Sequence, residues 1–323
     1  MLKDSYGRVI DYLRISVIDR CNLRCVYCTP EEGVELLPRE EILSYEEMLN
    51  FSRVAVGLGI RSIRLTGGEP LIRRDFIPFV EKLAKLLGLE EVTLTTNAIL
   101  LEEYAEQLYQ AGVRRVNIGF DTFDPAAFKK VTRTGDVTRA IAGIKKAFAV
   151  GFNPVKINVV VMRGVNDDLQ PFVEMTREYP VYVRFIEYMP VSNGLENKFF
   201  VPGAEVRERL QKFGKLESAT PPPGAGPTTR YYRYPGAKGA IGQISAMSEH
   251  FCPECSRLRL TADGKIRLCL FSEEEIDVKP GLRPVFNKDK IEEIIKLAVS
   301  RKPERYDLTG RDNNGRTMSQ IGG

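Results

Sequence analysis

Hydrophobic and polar positions along this chain switch repeatedly between two periods. Tyr12 to Ile18 (YLRISVI) alternates with the period of two of a strand. Ser44-x-x-Glu47 reads as a capping box that opens a helix to about Gly57. Arg61 to Leu65 predicts a short strand, and Asp75 starts a helix through about Leu87. Glu91 to Thr95 is a strand, Leu101 to Gln110 a helix and Val113 to Ile118 a strand. Asp136 caps a helix to about Val150, and Gly151 stops it. Pro154 to Met162 is a strand rich in β-branched residues, followed by a helix near Asp168 to Arg177 and the strand Val181 to Ile186.

Six strands separated by helical segments imply an α/β fold with a parallel sheet and right-handed crossovers. Six units fall short of the eight of a closed barrel, so an open, incomplete β/α barrel is expected, with a doubly wound sheet as the alternative. Polar and glycine-containing motifs follow strands at Cys21, Gly67 and Asn97, where the active sites of such sheets form. The pattern changes after about Pro190, which divides the chain into 1–190 and a smaller α+β region, 191–323. Glu217 to Thr229 (ESATPPPGAGPTT) reads as a loop or linker. Arg230 to Ser245 and Arg257 to Leu268 read as short strands, and Ile291 to Val299 as a helix. The tail from Leu308 to Gly323 is polar with little periodicity, the pattern of a frayed end.

Composition narrows the class. The chain has 323 residues, 43% hydrophobic and 28% charged, as in an ordinary globular protein. No apolar run approaches a membrane span. Met1-Leu2-Lys3-Asp4 leads into mixed polar sequence, so no signal peptide is expected and the cytoplasm is the expected location. A net charge of +4, from 47 basic and 43 acidic residues, gives no sign of a nucleic-acid partner. The single histidine, His250, excludes a histidine-rich metal site and a histidine-dependent triad.

The six cysteines fall into two trios. Cys21, Cys25 and Cys28 form C-x3-C-x2-C directly after the first strand. Cys252, Cys255 and Cys269 form C-x2-C-x13-C. Cysteines this closely spaced in a cytosolic chain suggest metal before disulfide. A [4Fe–4S] cluster takes one thiolate per iron, so three leave one iron open to a substrate or cofactor. Spacing alone also fits a zinc loop or reactive thiols, and His250 would complete a zinc site with the second trio. Gly67-Gly68-Glu69-Pro70 follows a strand, where glycines permit close backbone approach and Glu69 offers a carboxylate. Arg257 and Arg259 share a strand face beside the second trio, and paired guanidinium groups suit phosphate oxygens. Lys156 and Arg184, on the fifth and sixth strands, carry charge that would reach the same polyphosphate from the sheet side.

The segments RCNLRCVYC and TGGEP together resemble the radical S-adenosylmethionine (SAM) superfamily. The longer set LRISVIDRCNLRCVYC, RLTGGEPLIRRDF, LTTN, VKINVVVMRGVND, RFIEYMP, FCPECSRLRLTADGKIRLCL and the terminal IGG resembles its GTP 3',8-cyclase family, the first step of molybdenum cofactor synthesis. That resemblance implies two [4Fe–4S] clusters, the first on Cys21, Cys25 and Cys28 and the second on Cys252, Cys255 and Cys269. It implies that Tyr27, Gly67, Gly68, Glu69, Gly119 and Met189 line SAM. Arg14, Arg64, Thr95, Lys156, Arg184, Arg257 and Arg259 would contact GTP. Arg257, Arg259, Gly322 and Gly323 would serve catalysis, the diglycine by inserting into the active site. Gly119 stands where the family usually has serine, so a weaker or rearranged cofactor contact is expected there. The implied chemistry is removal of the ribose 3' hydrogen by a 5'-deoxyadenosyl radical, then closure of C3' onto C8 of the purine. The family implies a low-potential electron donor, a downstream cyclic pyranopterin monophosphate synthase and a homodimer. Two other classes fit parts of the pattern: a peptide-modifying radical enzyme with auxiliary clusters, and an electron carrier.

Overall fold

The computed structural model describes residues 1–189, 197–226, 228–249, 251–306 and 316–322. In chain order the first part is β1 (Tyr12–Ser16), α1 (Tyr45–Leu58), β2 (Ser62–Thr66), α2 (Phe76–Ala84), β3 (Glu91–Thr96), α3 (Leu101–Gln110), β4 (Val116–Gly119), α4 (Pro125–Thr132), α5 (Val137–Val150), β5 (Val155–Val161), α6 (Gln170–Glu178) and β6 (Val181–Glu187). The second is α7 (Gly203–Gln211), β7 (Glu217–Ser218), β8 (Arg230–Arg233), β9 (Ala240–Ile244), β10 (Arg257–Leu260), β11 (Lys265–Arg267), β12 (Glu275–Asp277), α8 (Lys279–Leu282), α9 (Lys288–Ser300) and α10 (Met318–Ile321).

Local chemistry sets many of these boundaries. Ser44 and Glu47 close the expected capping box of α1. Asp136 caps α5, and Gly151 ends it in the left-handed region at φ 95°. Helix α4 adds to the expected elements, and Asp124-Pro125 marks its start: Asp124 accepts from the N–H of Ala127, and Pro125 fits the first turn. The polar tail contains a helical turn, α10, opened by a second capping box from Thr317 to Gln320.

All twelve strands form one sheet, in the order β12-β11-β10-β1-β2-β3-β4-β5-β6-β9-β8-β7. The run from β10 to β9 is parallel throughout. Thus the second part of the chain adds one parallel strand outside β1 and another outside β6, and antiparallel strands extend both edges. Among the described residues no strand pairing joins β12 to β7.

Strand alternation separates two faces. Leu13, Ile15, Ile63, Leu65 and Leu94 point to the helices and are essentially fully buried. Each such side chain contributes about 1.5–3 kcal/mol of apolar burial. The opposite face carries Tyr12, Arg14, Arg64 and Thr93, with Arg14 in register with both Arg64 and Arg259. One side of the sheet therefore builds the core and the other gathers charge. Among the described residues no helix is long and apolar enough to cross a membrane.

Candidate active site

The loop after β1 is held from two sides. Arg24 and Val26 donate N–H groups to Thr132 and Val131 at the end of α4, at 3.0 and 2.9 Å. From the other side, Gly68 N–H reaches the Ile18 carbonyl at 2.8 Å and Glu69 N–H the Arg20 carbonyl at 2.9 Å. A Cβ on Gly68 would lie 2.0 Å from the Arg20 oxygen, so only glycine fits. The close approach made by Gly67 and Gly68 is to the chain segment leading into Cys21. Glu69 is completely buried, and its carboxylate accepts from Leu71 N–H (3.1 Å), Thr96 Oγ1 (2.8 Å) and Asn97 N–H (2.7 Å). Burial pushes its pKa up to about 7 against the pull of these donors. Asn97 in turn places its Nδ2 3.7 Å from Cys21 Sγ.

Cys21, Cys25 and Cys28 are free thiols on this loop. Burial pushes the Cys21 thiol up to about 12, with the Glu69 carboxylate adding to it, and the Cys28 thiol up to about 11. Tyr27, between them, donates to Asp121 Oδ2 at 2.7 Å, and Asp121 also accepts from Val160 N–H at 2.9 Å. Among the described residues no three His, Cys, Asp or Glu side chains converge as a cage for a single ion. Three thiols on one loop can each take one iron of a [4Fe–4S] cube and leave the fourth iron open.

The second trio sits beyond the N-terminal end of β10. Cys252 opens a short turn, and Cys255 N–H closes it on the Cys252 carbonyl at 3.1 Å. Arg8 braces this turn from the chain's first residues, donating to the carbonyl of Cys252 at 2.8 Å while paired with Asp4. Lys302, deeply buried, donates to the Leu268 carbonyl at 2.8 Å and stands 3.7 Å from Cys255 Sγ. Burial alone would raise the Cys255 thiol, but Arg257 and Lys302 outweigh it and pull its pKa down to about 6. The thiolate is the form that ligates iron.

A cavity of about 510 Å³ opens between this trio and the charged face of the sheet. Cys252, Cys255 and Cys269 line it together with Arg14, Arg64, Arg184, Arg257 and Arg259, and Met189 is also in its wall. Its volume suits a nucleotide-sized ligand. Burial and mutual repulsion lower the pKa of Arg14 to about 9 and of Arg64 to about 10. The Nε atoms of Arg14 and Arg184 are buried without a hydrogen-bond partner. Thr95 and Lys156 are not in the wall. They lie in register with Asn117, whose Oδ1 accepts from Arg184 at 2.7 Å. Lys156 is almost fully buried and lowered to about 6, by burial first and then by Arg184, Arg115 and Arg64. Gly119 faces open space: a Cβ there would meet nothing within 4 Å.

Two parts of the wall were not legible. Gly224, Ala225 and Gly226 line the cavity, so the proline-rich stretch is a wall and not a linker. Arg115 holds it, pairing with Glu91 and donating to the Pro223 carbonyl. The tail closes another side. Arg259 Nη1 donates to the Gly322 carbonyl at 2.9 Å, and Gly322 packs against Ser16 and Thr66. Gly323 and His250 lie outside the described residues.

A model of the radical SAM superfamily matches residues 15–176, and one described as Molybdenum Cofactor Synthesis C matches 181–308. Streptococcus suis SuiB has the same general fold, with a TM-score of 0.63 at 15% identity over 91% of this chain and 66% of SuiB. Fold and cysteine loop together define a radical SAM protein. The GTP 3',8-cyclase of Thermodesulfovibrio yellowstonii is 46% identical over 100% of both chains. That of Desulforamulus reducens is 44% identical over 99% of both. The chain belongs to the GTP 3',8-cyclase family.

Proposed function

We infer that this protein is a GTP 3',8-cyclase, acting in molybdenum cofactor biosynthesis. With two [4Fe–4S] clusters and SAM bound, it removes the ribose 3' hydrogen of GTP through a 5'-deoxyadenosyl radical and joins C3' to C8; one electron from the reductant and one proton then complete (8S)-3',8-cyclo-7,8-dihydro-GTP. The observation that supports this reading beyond family membership is the cavity lined by seven arginines and the second cysteine trio.

Cys21, Cys25 and Cys28 would hold the first cluster, and Cys252, Cys255 and Cys269 the second. Arg14, Arg64 and Arg184 would take the triphosphate, with Lys156 and Thr95 behind them, because buried guanidinium groups gain most from a polyanion. Arg257 and Arg259 stand between that charge and the second trio, where they would orient the nucleoside for attack. Gly322, and Gly323 beyond it, would close the site against water. Tyr27, Gly67, Gly68, Gly119 and Met189 would line SAM. Glu69 would serve that site through Asn97 and the loop it anchors.

The sheet would act as an incomplete barrel, open between β12 and β7, around GTP. Residues 1–190 would supply the SAM-cleaving half, and 191–323 the second cluster and the closing tail. A low-potential donor, transfer of product to a cyclic pyranopterin monophosphate synthase, a homodimer and a cytoplasmic location complete the proposal.

The test is anaerobic reconstitution with iron and sulfide, followed by reductant, SAM and GTP. Mass spectrometry should find both 5'-deoxyadenosine and a GTP isomer lacking the ribose 3' hydrogen. Deoxyadenosine without the isomer would remove GTP as the substrate.

A further inference from the structure

Lys302 stands just beyond α9 and is almost fully buried. Its backbone N–H reaches the Val299 carbonyl at 3.2 Å, and its Nζ donates to the Leu268 carbonyl at 2.8 Å. The same Nζ donates to Cys255 Sγ at 3.7 Å. The two residues that follow are clamped to the Cys252 turn. Arg8 donates to the Pro303 and Glu304 carbonyls at 2.6 and 2.9 Å and to the Cys252 carbonyl at 2.8 Å. Lys302 is therefore fixed against the second trio from both sides. Among the described residues its amine bonds only the Leu268 carbonyl and the Cys255 sulfur, and no carboxylate pairs with it. A buried ammonium without a counter-charge is costly. Of the two atoms it touches, only the sulfur can carry negative charge.

We propose that Lys302 is a positioning residue for the second cluster: held by the Leu268 carbonyl, its amine donates to the Cys255 sulfur, supplies the counter-charge of the thiolates and sets the potential at which that cluster is reduced. This rests on the reading of Cys252, Cys255 and Cys269 as cluster ligands. Reduction adds negative charge to a cluster, and a cation that donates to one of its sulfurs stabilises that charge and raises the potential. Lys302 acts through Cys255, and its effect is confined to the second cluster.

The experiment is a redox titration of the cluster-loaded enzyme without GTP, followed by electron paramagnetic resonance. The signal that SAM leaves unchanged marks the second cluster. Iron and sulfide analysis establishes which clusters each variant carries. Lys302→Met should lower the potential of the SAM-unresponsive signal by about tenfold in the reduced-to-oxidised ratio at fixed poise, which is about 59 mV for one electron. The SAM-responsive signal should stay in place. Superimposable titrations of wild type and Lys302→Met, or equal shifts of both signals, would overturn the proposal. Lys302→Gln is read in the same way where Lys302→Met does not load. Where neither neutral variant holds the second cluster, Lys302→Arg decides: loading supports the counter-charge role, and failure to load assigns Lys302 to packing and overturns it. A wild-type enzyme that loads only the SAM-responsive cluster would instead remove the cluster reading beneath the proposal.

Discussion

Arg316 meets Asp263 through two hydrogen bonds, at 3.1 and 2.7 Å, pinning the tail to the turn between β10 and β11. Asp263 is nearly buried. Burial would raise its pKa, but Arg316 and the Thr261 hydroxyl hold it below the ordinary aspartate range. The pair therefore stabilises the docked tail above the unfolded value of about 3.9, and the benefit is lost as pH falls through the lower folded value. Arg316→Met should free the tail without unfolding the sheet. Limited proteolysis near the C-terminus should accelerate while the melting temperature of the body changes little. A tail as protected as in the wild type would show that the ion pair is not its anchor.

Lys156 gives a pH dependence of the same sense in a higher window. Its folded value of about 6 lies below the unfolded value of about 10.4, so between these the unfolded chain binds more protons and stability rises with pH. A triphosphate nearby favours the charged amine. GTP binding to the loaded enzyme should therefore take up close to one proton at this site at neutral to mildly alkaline pH. Calorimetry in buffers of different ionisation enthalpy reads that number directly. Lys156→Met should abolish it, and unchanged uptake would assign the proton elsewhere.

Glu69→Gln tests the anchor behind the first trio. The amide would place an N–H against either the Asn97 or the Leu71 donor, leaving a buried mismatch worth about 1–3 kcal/mol. Chemical denaturation should show a loss of that size. A neutral result would mean that the loop does not depend on these bonds.

Gly119→Ser should be tolerated, since an added Cβ meets no atom within 4 Å. Unfolding free energy should stay within about 0.5 kcal/mol of the wild type. SAM should bind about threefold to tenfold more tightly, the worth of one neutral hydrogen bond. Equilibrium binding to the loaded enzyme measures this, and weaker binding would show that the space belongs to the ligand itself.

Much of this was readable in the residues, and the failures have physical causes. Strands such as Val155–Val161 and helices such as Val137–Val150 follow local periodicity and caps, which sequence displays. The places of β9 and β10 as further parallel strands follow from pairing across the whole chain, which periodicity cannot show. The cysteine trios stood out by spacing. Arg115 did not, because its role depends on Gly224 lying directly over its guanidinium.

The pairing of β10 with β1 and of β9 with β6 has one more consequence. A chain cut near residue 190 would bare two long parallel edges at once, each a template for aggregation. The later part is not an accessory added to a finished scaffold. It supplies the outer staves on both sides, so the spacing between the two thiol sites is carried by sheet hydrogen bonds and not by a hinge.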